Sequence, residues 1–147
     1  MADLRCRAVT LPVAVTFEGQ RISGVTFLPS ARRQIFPVGV ARQFTNYFAG
    51  KKVSFRVPID LSAGTIFQRK VWRALQAIPY GQTRSYAWVA KRIGQANAVR
   101  AVGAACGANP VPVIIPCHRV VRSDGSMGGF SAGLEWKKRL LALESCR

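Results

Sequence analysis

Residues 109–118 read Asn-Pro-Val-Pro-Val-Ile-Ile-Pro-Cys-His, and no other stretch so restricts what the chain can become. Its apolar side chains call for burial. Yet Pro110, Pro112 and Pro116 deny it a helix or a central strand, because proline brings no N–H to either ladder. What remains is a stiff, irregular, buried segment around which regular elements must pack. It delivers Cys117 and His118, the chain's only histidine, to one fixed place. A thiolate is a soft nucleophile suited to saturated carbon, and an imidazole can take its proton. Adjacent residues of an extended chain face opposite ways, so a direct Cys117–His118 bond needs a bend; a bridging water or local helical geometry is the more natural link. Read alone, the pair is better explained as coincidence.

Before this segment the pattern changes once. Leu4, Cys6 and Ala8 alternate with Arg5 and Arg7, Val13, Val15 and Phe17 run into Glu18-Gly19-Gln20, and Ile22 to Phe27 follow, which predicts a hairpin. Val40, Phe44 and Phe48 fall at helical spacing with Gly50 placed to end the helix, and Val53, Phe55 and Val57 alternate again before Pro58. From Ser62 the reading is helical. Thr65 and Gln68 fit a capping box ahead of the stripe Phe67, Val71, Leu75 and Ile78. A second helix runs from near Ser85 to Gly94 and buries Tyr86, Val89, Ala90 and Ile93. A third runs from about Asn97 to Gly107, after a turn of about four residues. Gly125 to Gly133 form a glycine-rich loop, and Leu134 to Glu144 a final amphipathic helix. The expectation is an α+β fold in two parts: residues 1–61, a small β-rich α/β unit with a bracing role, and residues 62–147, a mainly helical, winged helix-turn-helix-like domain.

Charge points to a partner. The chain has 22 Lys and Arg against 6 Asp and Glu, a net charge of +16, and such an excess favours counterion release from nucleic acid. A solvated basic surface is the plain alternative. Four dispersed cysteines (Cys6, Cys106, Cys117, Cys146) suggest neither a disulfide framework nor a zinc site. No apolar run approaches a membrane span and the start lacks a signal pattern, so a cytoplasmic, nucleoid-associated protein is expected.

The third helix makes an odd reader of sequence. Val99, Val102 and Cys106 can turn inward, which leaves Arg100, Gly103, Ala104 and Gly107 as a smooth face with one cation. Such a face suits close, sequence-independent approach to the minor groove, where the Arg can enter the base stack; helix–helix packing with a plain surface Arg explains it equally well.

Taken with its flanks, Asn109 to Val121 closely resembles the active-site signature of the O6-alkylguanine-DNA alkyltransferases (methylated-DNA–protein-cysteine methyltransferases). The resemblance runs from Phe67 to Glu144 and includes Ser85-Tyr86, Arg100-Ala101-Val102-Gly103 and Ser131-Ala132-Gly133-Leu134. It implies DNA repair by suicide transfer of the alkyl group of O6-alkylguanine, with O4-alkylthymine a further lesion, from flipped nucleotides onto Cys117. It further implies that His118 is the base acting through water, Glu144 its orienting carboxylate, and Asn109 the anchor of the active-site turn. Tyr86 and the Ser131 N–H would stabilise the guanine oxygen, the carbonyls of Cys117 and Val120 would read its exocyclic amine, and Arg100, Ala101 and Gly103 would meet the DNA. No cofactor and no metal are expected, since only Cys6 could serve the N-terminal zinc of some relatives. The partner is double-stranded DNA, bound in the minor groove without sequence preference by a protein monomeric off DNA.

From their own positions, Tyr86 reads as a core aromatic, Ser131 as a helix cap, Glu144 as a helix-end charge and Asn109 as a turn residue. Phe130 and Ala132 stand where relatives carry Tyr and Gly. A non-catalytic alkyl-lesion recognition protein is the alternative function, against which Cys117 speaks; a sequence-reading regulator and a multiple-turnover cysteine hydrolase are two more.

Overall fold

The computed structural model describes residues 5–145; Leu4 and Cys146 lie outside them. Strands β1 (Cys6–Glu18) and β2 (Arg21–Pro37) form one antiparallel hairpin. It turns at Gly19, whose φ of 62° favours glycine. The hairpin is longer than the sequence predicts. Pro12 separates two alternating runs, but the register shifts between Leu11 and Val13, with residues 28–31 opposite the break. A bulge thus absorbs the missing N–H, and the strand continues through it.

Helix α1 (Val38–Phe48) buries Val40, Ala41, Phe44 and Tyr47. It ends as Gly50 predicts: at φ 85°, Gly50 N–H bonds to Tyr47 O and Lys51 N–H to Asn46 O, both at 3.0 Å. The strand expected at Val53–Val57 does not form. Those side chains pack partly against the core while their neighbours are exposed, so the alternation reports a half-buried surface rather than a ladder. The Gln43 side chain takes the Arg56 N–H at 2.6 Å. Backbone pairing here is confined to Ile22 with Pro58 and Asp60.

Helix α2 (Ile66–Gln76) carries the capping box of Thr65 and Gln68. A two-residue parallel pair, β3 (Arg84–Ser85) with β4 (Val120–Val121), ties the chain before α3 (Tyr86–Arg92) to the chain after Cys117. Ser85 caps α3 by accepting the Trp88 N–H at 3.0 Å. Helix α4 (Val99–Gly107) starts two residues later than predicted, and residues 93–98 connect it to α3. Helix α5 (Leu134–Ser145) closes the fold. Trp72 Nε1–H donates to Ala105 O at 2.8 Å and so pins α2 to α4.

The buried side chains form one cluster that runs from the hairpin through α1 to the helices. Phe27 stacks near Trp136, with centroids 4.6 Å apart, and the Val25 N–H donates to Pro110 O at 2.9 Å. The hairpin thus supports the proline-rich segment directly. Residues 111–120 are all buried. Val113 turns them with φ 76°, a left-handed conformation that costs a β-branched residue about 1–3 kcal/mol and persists only where surrounding packing enforces it.

Candidate active site

Cys117, His118 and Arg119 form a single 3-10 turn. This is the local helical geometry that lets neighbours share one region without a direct thiol–imidazole bond. Asn109 holds the turn from below: its Nδ2 donates to Ile115 O at 2.8 Å and its Oδ1 accepts the Val111 N–H at 3.0 Å. Both ends of the irregular segment are thereby fixed by one buried amide.

The Cys117 thiol, 4 % exposed, opens on a pocket of about 440 Å³. Tyr86, Arg100, Gly103, Cys106, Gly128 and Ser131 also line it. Burial pushes the Cys117 thiol up to about 11, against the opposing pull of the Asn109 amide and the Lys137 ammonium. Its nucleophilic form therefore requires a base.

The chain's one imidazole stands next to Cys117 in that turn. His118 is fully buried, its Nε2 2.6 Å from Glu144 Oε2, so with Glu144 ionised the Nε2 carries the hydrogen and donates it. Nδ1 is then a bare lone pair, buried without a hydrogen-bond partner among the described residues. Burial lowers the His118 pKa below the ordinary imidazole value although Glu144 opposes this, which keeps the ring neutral.

Glu144 is the hub. Besides His118 it accepts from Tyr47 Oη–H at 2.6 Å, from Arg119 Nε at 2.8 Å and Nη2 at 3.0 Å, and from the Gly81 N–H at 3.3 Å. Burial works to raise its pKa, but the bonds from His118 and Arg119 prevail and hold the carboxyl well below the usual carboxylate range. Glu144 shares the inward face of α5 with Lys137 and Leu140. Lys137 Nζ is enclosed, donating to the carbonyls of Val120 (2.7 Å), Gly129 (3.2 Å) and Met127, and so ties the pocket loop to the segment after Cys117.

The structure brings Cys117, Tyr86, Arg100, Gly103 and Ser131 to one pocket, with His118, Glu144 and Asn109 behind it. Ala101 is exposed on the outer side of α4. The Val120 carbonyl already accepts from Lys137 and the Cys117 carbonyl from the Val120 N–H, which leaves each its second lone pair. Val99, expected inside, is 39 % exposed: as the first residue of α4 it stands at the pocket rim. Arg100, Ala104 and Gly107 are exposed as expected. Tyr47, Arg119 and Lys137 were not singled out by sequence reasoning. Tyr47 lies at helical spacing from Val40 and Phe44, and Lys137 at helical spacing from Leu140 and Glu144, so spacing could have flagged both. Among the described residues no group of three or more His, Cys, Asp or Glu is placed to hold a metal.

The family model of the 6-O-methylguanine DNA methyltransferase DNA-binding domain matches residues 66–146. The methylated-DNA–protein-cysteine methyltransferase of Mycolicibacterium paratuberculosis is 51 % identical over 106 residues, 72 % of this chain and 64 % of that protein. An inducible one from Bacillus subtilis is 53 % identical over 104 residues, 71 % of this chain and 58 % of that protein. The matched region thus spans less than two thirds of these relatives' length. The fold resembles the crystal structure of Mycobacterium tuberculosis OGT in complex with DNA, with a TM-score of 0.83 and 39 % identity over 95 % of this chain and 92 % of that one. It also resembles the O6-methylguanine-DNA methyltransferase of Pyrococcus kodakaraensis, with a TM-score of 0.72 and 26 % identity over 95 % and 99 %. By sequence and by fold, this chain belongs to the 6-O-methylguanine DNA methyltransferase family.

Proposed function

We propose that this chain repairs double-stranded DNA by moving the alkyl group of O6-alkylguanine onto its own Cys117, once per protein molecule, with O4-alkylthymine a second candidate lesion. One observation carries the reading. A thiol facing a pocket large enough for a flipped base stands next in the chain to a neutral imidazole anchored on a carboxylate.

In this account the smooth face of α4 lies in the minor groove, Arg100 fills the place of the extruded nucleotide, and binding is independent of sequence. Flipping is needed because a stacked base cannot present its alkyl carbon to a buried sulfur. His118 Nδ1 takes the Cys117 proton through a bridging water, and Glu144 stabilises the imidazolium. Sulfur then attacks the alkyl carbon: the S–C bond forms, the C–O6 bond breaks, and its electron pair remains on guanine. The Tyr86 hydroxyl and the Ser131 N–H meet the oxygen as it gains charge, and guanine leaves neutral after taking up a proton from solvent while His118 returns the thiol proton to solvent. The product thioether has no easy leaving group, so the protein is consumed. It works as a monomer off DNA, in the cytoplasm and on the nucleoid.

The test is a titration of O6-methylguanine duplex against protein. Methyl groups lost from DNA should equal the protein molecules present and then stop; continued loss would overturn the proposal. Two variants probe its parts. Arg100→Ala is expected to slow transfer from duplex roughly 10- to 100-fold while leaving the slow reaction with free O6-alkylguanine base unchanged, since a free base needs no extrusion. Equal loss on both substrates would place Arg100 elsewhere in the reaction. At Gly128 (φ 67°) an added Cβ would fall 2.9 Å from the Tyr86 ring and hydroxyl. Gly128→Ala should therefore displace Tyr86 and slow transfer roughly tenfold or more, read as a single-turnover rate.

A further inference from the structure

Tyr47 lies outside the residues matched by the family model, on the last turn of α1, in the part of the chain expected only to brace the other. It is fully buried, edge-on to Phe48 and Tyr80. Its hydroxyl donates to Glu144 Oε2 at 2.6 Å, and that same oxygen stands 2.6 Å from His118 Nε2. The hydroxyl and the imidazole nitrogen are 3.5 Å apart. Phenol, imidazole and the Arg119 Nη2 at 3.0 Å thus converge on one oxygen. Each donor disperses the carboxylate's charge and so weakens its hold on the others.

The geometry points to Tyr47 as a positioning residue of alkyl transfer: a hydroxyl supplied by the N-terminal unit that sets how strongly Glu144 stabilises protonated His118. This rests on the alkyl-transfer reading above. The charged and titratable groups facing His118 are Glu144 and Lys137 from α5, its neighbour Arg119 and Tyr47 from α1; those facing Tyr47 are Glu144, Arg119, Tyr80 and His118. Burial, reinforced by Glu144, holds the Tyr47 pKa above the ordinary phenol value. The hydroxyl therefore remains a donor through the working pH range and is not itself the base. Its removal leaves Glu144 Oε2 with one donor fewer and more negative charge, which favours imidazolium.

Tyr47→Phe in the full chain keeps the ring and removes the oxygen. Because His118 is the only histidine, its imidazole NMR signals report one site without ambiguity. The His118 midpoint is expected to rise by about one pH unit, on the scale of one hydrogen bond to a charged group. The acid limb of the single-turnover methyl-transfer rate should move with it, with lesion-duplex affinity unchanged. An unmoved midpoint, or a rate loss uniform in pH that tracks lowered thermal stability, would overturn the assignment. If Tyr47→Phe does not fold, 3-fluorotyrosine placed at position 47 donates more strongly and should move the midpoint down; no movement again overturns it. The imidazole titration reads Tyr47 whether or not methyl groups are transferred, so failure of this inference is distinguishable from failure of the alkyl-transfer reading.

Discussion

Glu144→Gln is expected to destabilise the protein by about 3–5 kcal/mol and to slow methyl transfer by at least about a hundredfold. The substitution conserves volume but removes the carboxylate that, among the described residues, is bonded to buried Arg119, leaving the guanidinium the Ile78 carbonyl and the Tyr80 ring. It also takes the anion away from His118 Nε2–H. A loss of that size is a large part of the total stability of an ordinary domain, so denaturant unfolding at neutral pH will show it plainly. An unchanged midpoint would mean that the Glu144 network is not what holds α5 to the Cys117 turn. The same network gives a pH dependence. Glu144 is held below its unfolded value of about 4.3, so its contribution is complete above that pH and is lost as pH falls through the folded value. His118 is kept neutral by burial, so protonation of the unfolded chain below about 6.5 begins the loss earlier. Stability should fall in two stages on acidification, and Glu144→Gln should lack the lower one.

Cys117→Ser is expected to reduce methyl transfer by about a thousandfold or more while leaving lesion-duplex affinity and thermal stability nearly unchanged. Serine fits where cysteine sat, but its hydroxyl is a harder, far less acidic nucleophile that a neutral imidazole activates poorly for attack on saturated carbon. Affinity by fluorescence anisotropy and rate by single-turnover quench separate the two effects. Residual transfer near the unaltered rate would point to Cys106, the other thiol lining the pocket, as the acceptor.

How much of this was legible in the sequence depends on the scale of each signal. Thr65–Gln68, Ser85 and Gly50 act through atoms a few residues away, and their local chemistry sufficed to mark the helix ends. The proline-rich segment was legible because Pro110, Pro112 and Pro116 exclude a helix or a central strand there, while its apolar side chains call for the burial seen at residues 111–116. Alternation misled at Val53–Val57, since half-burial does not require a strand partner. The split between motif and partners is sharper at the site itself. Cys117, His118, Tyr86 and Arg100 lie in or near recognisable motifs. The five donors on Glu144 come from residues 47, 81, 118 and 119, a convergence across the whole fold that no local pattern encodes. A buried Lys137 and Glu144 on the inward face of one helix left only a faint trace, two charges where periodicity calls for apolar side chains.

Intact mass of the protein after reaction with a duplex carrying one O6-methylguanine, followed by a peptide map, shows directly whether Cys117 takes the alkyl group. One added methyl is expected, on the peptide containing Cys117, saturating at one per protein however much lesion is supplied. Tight lesion binding with no gain in mass, or a methyl found on any other residue, would rule out Cys117 as the acceptor.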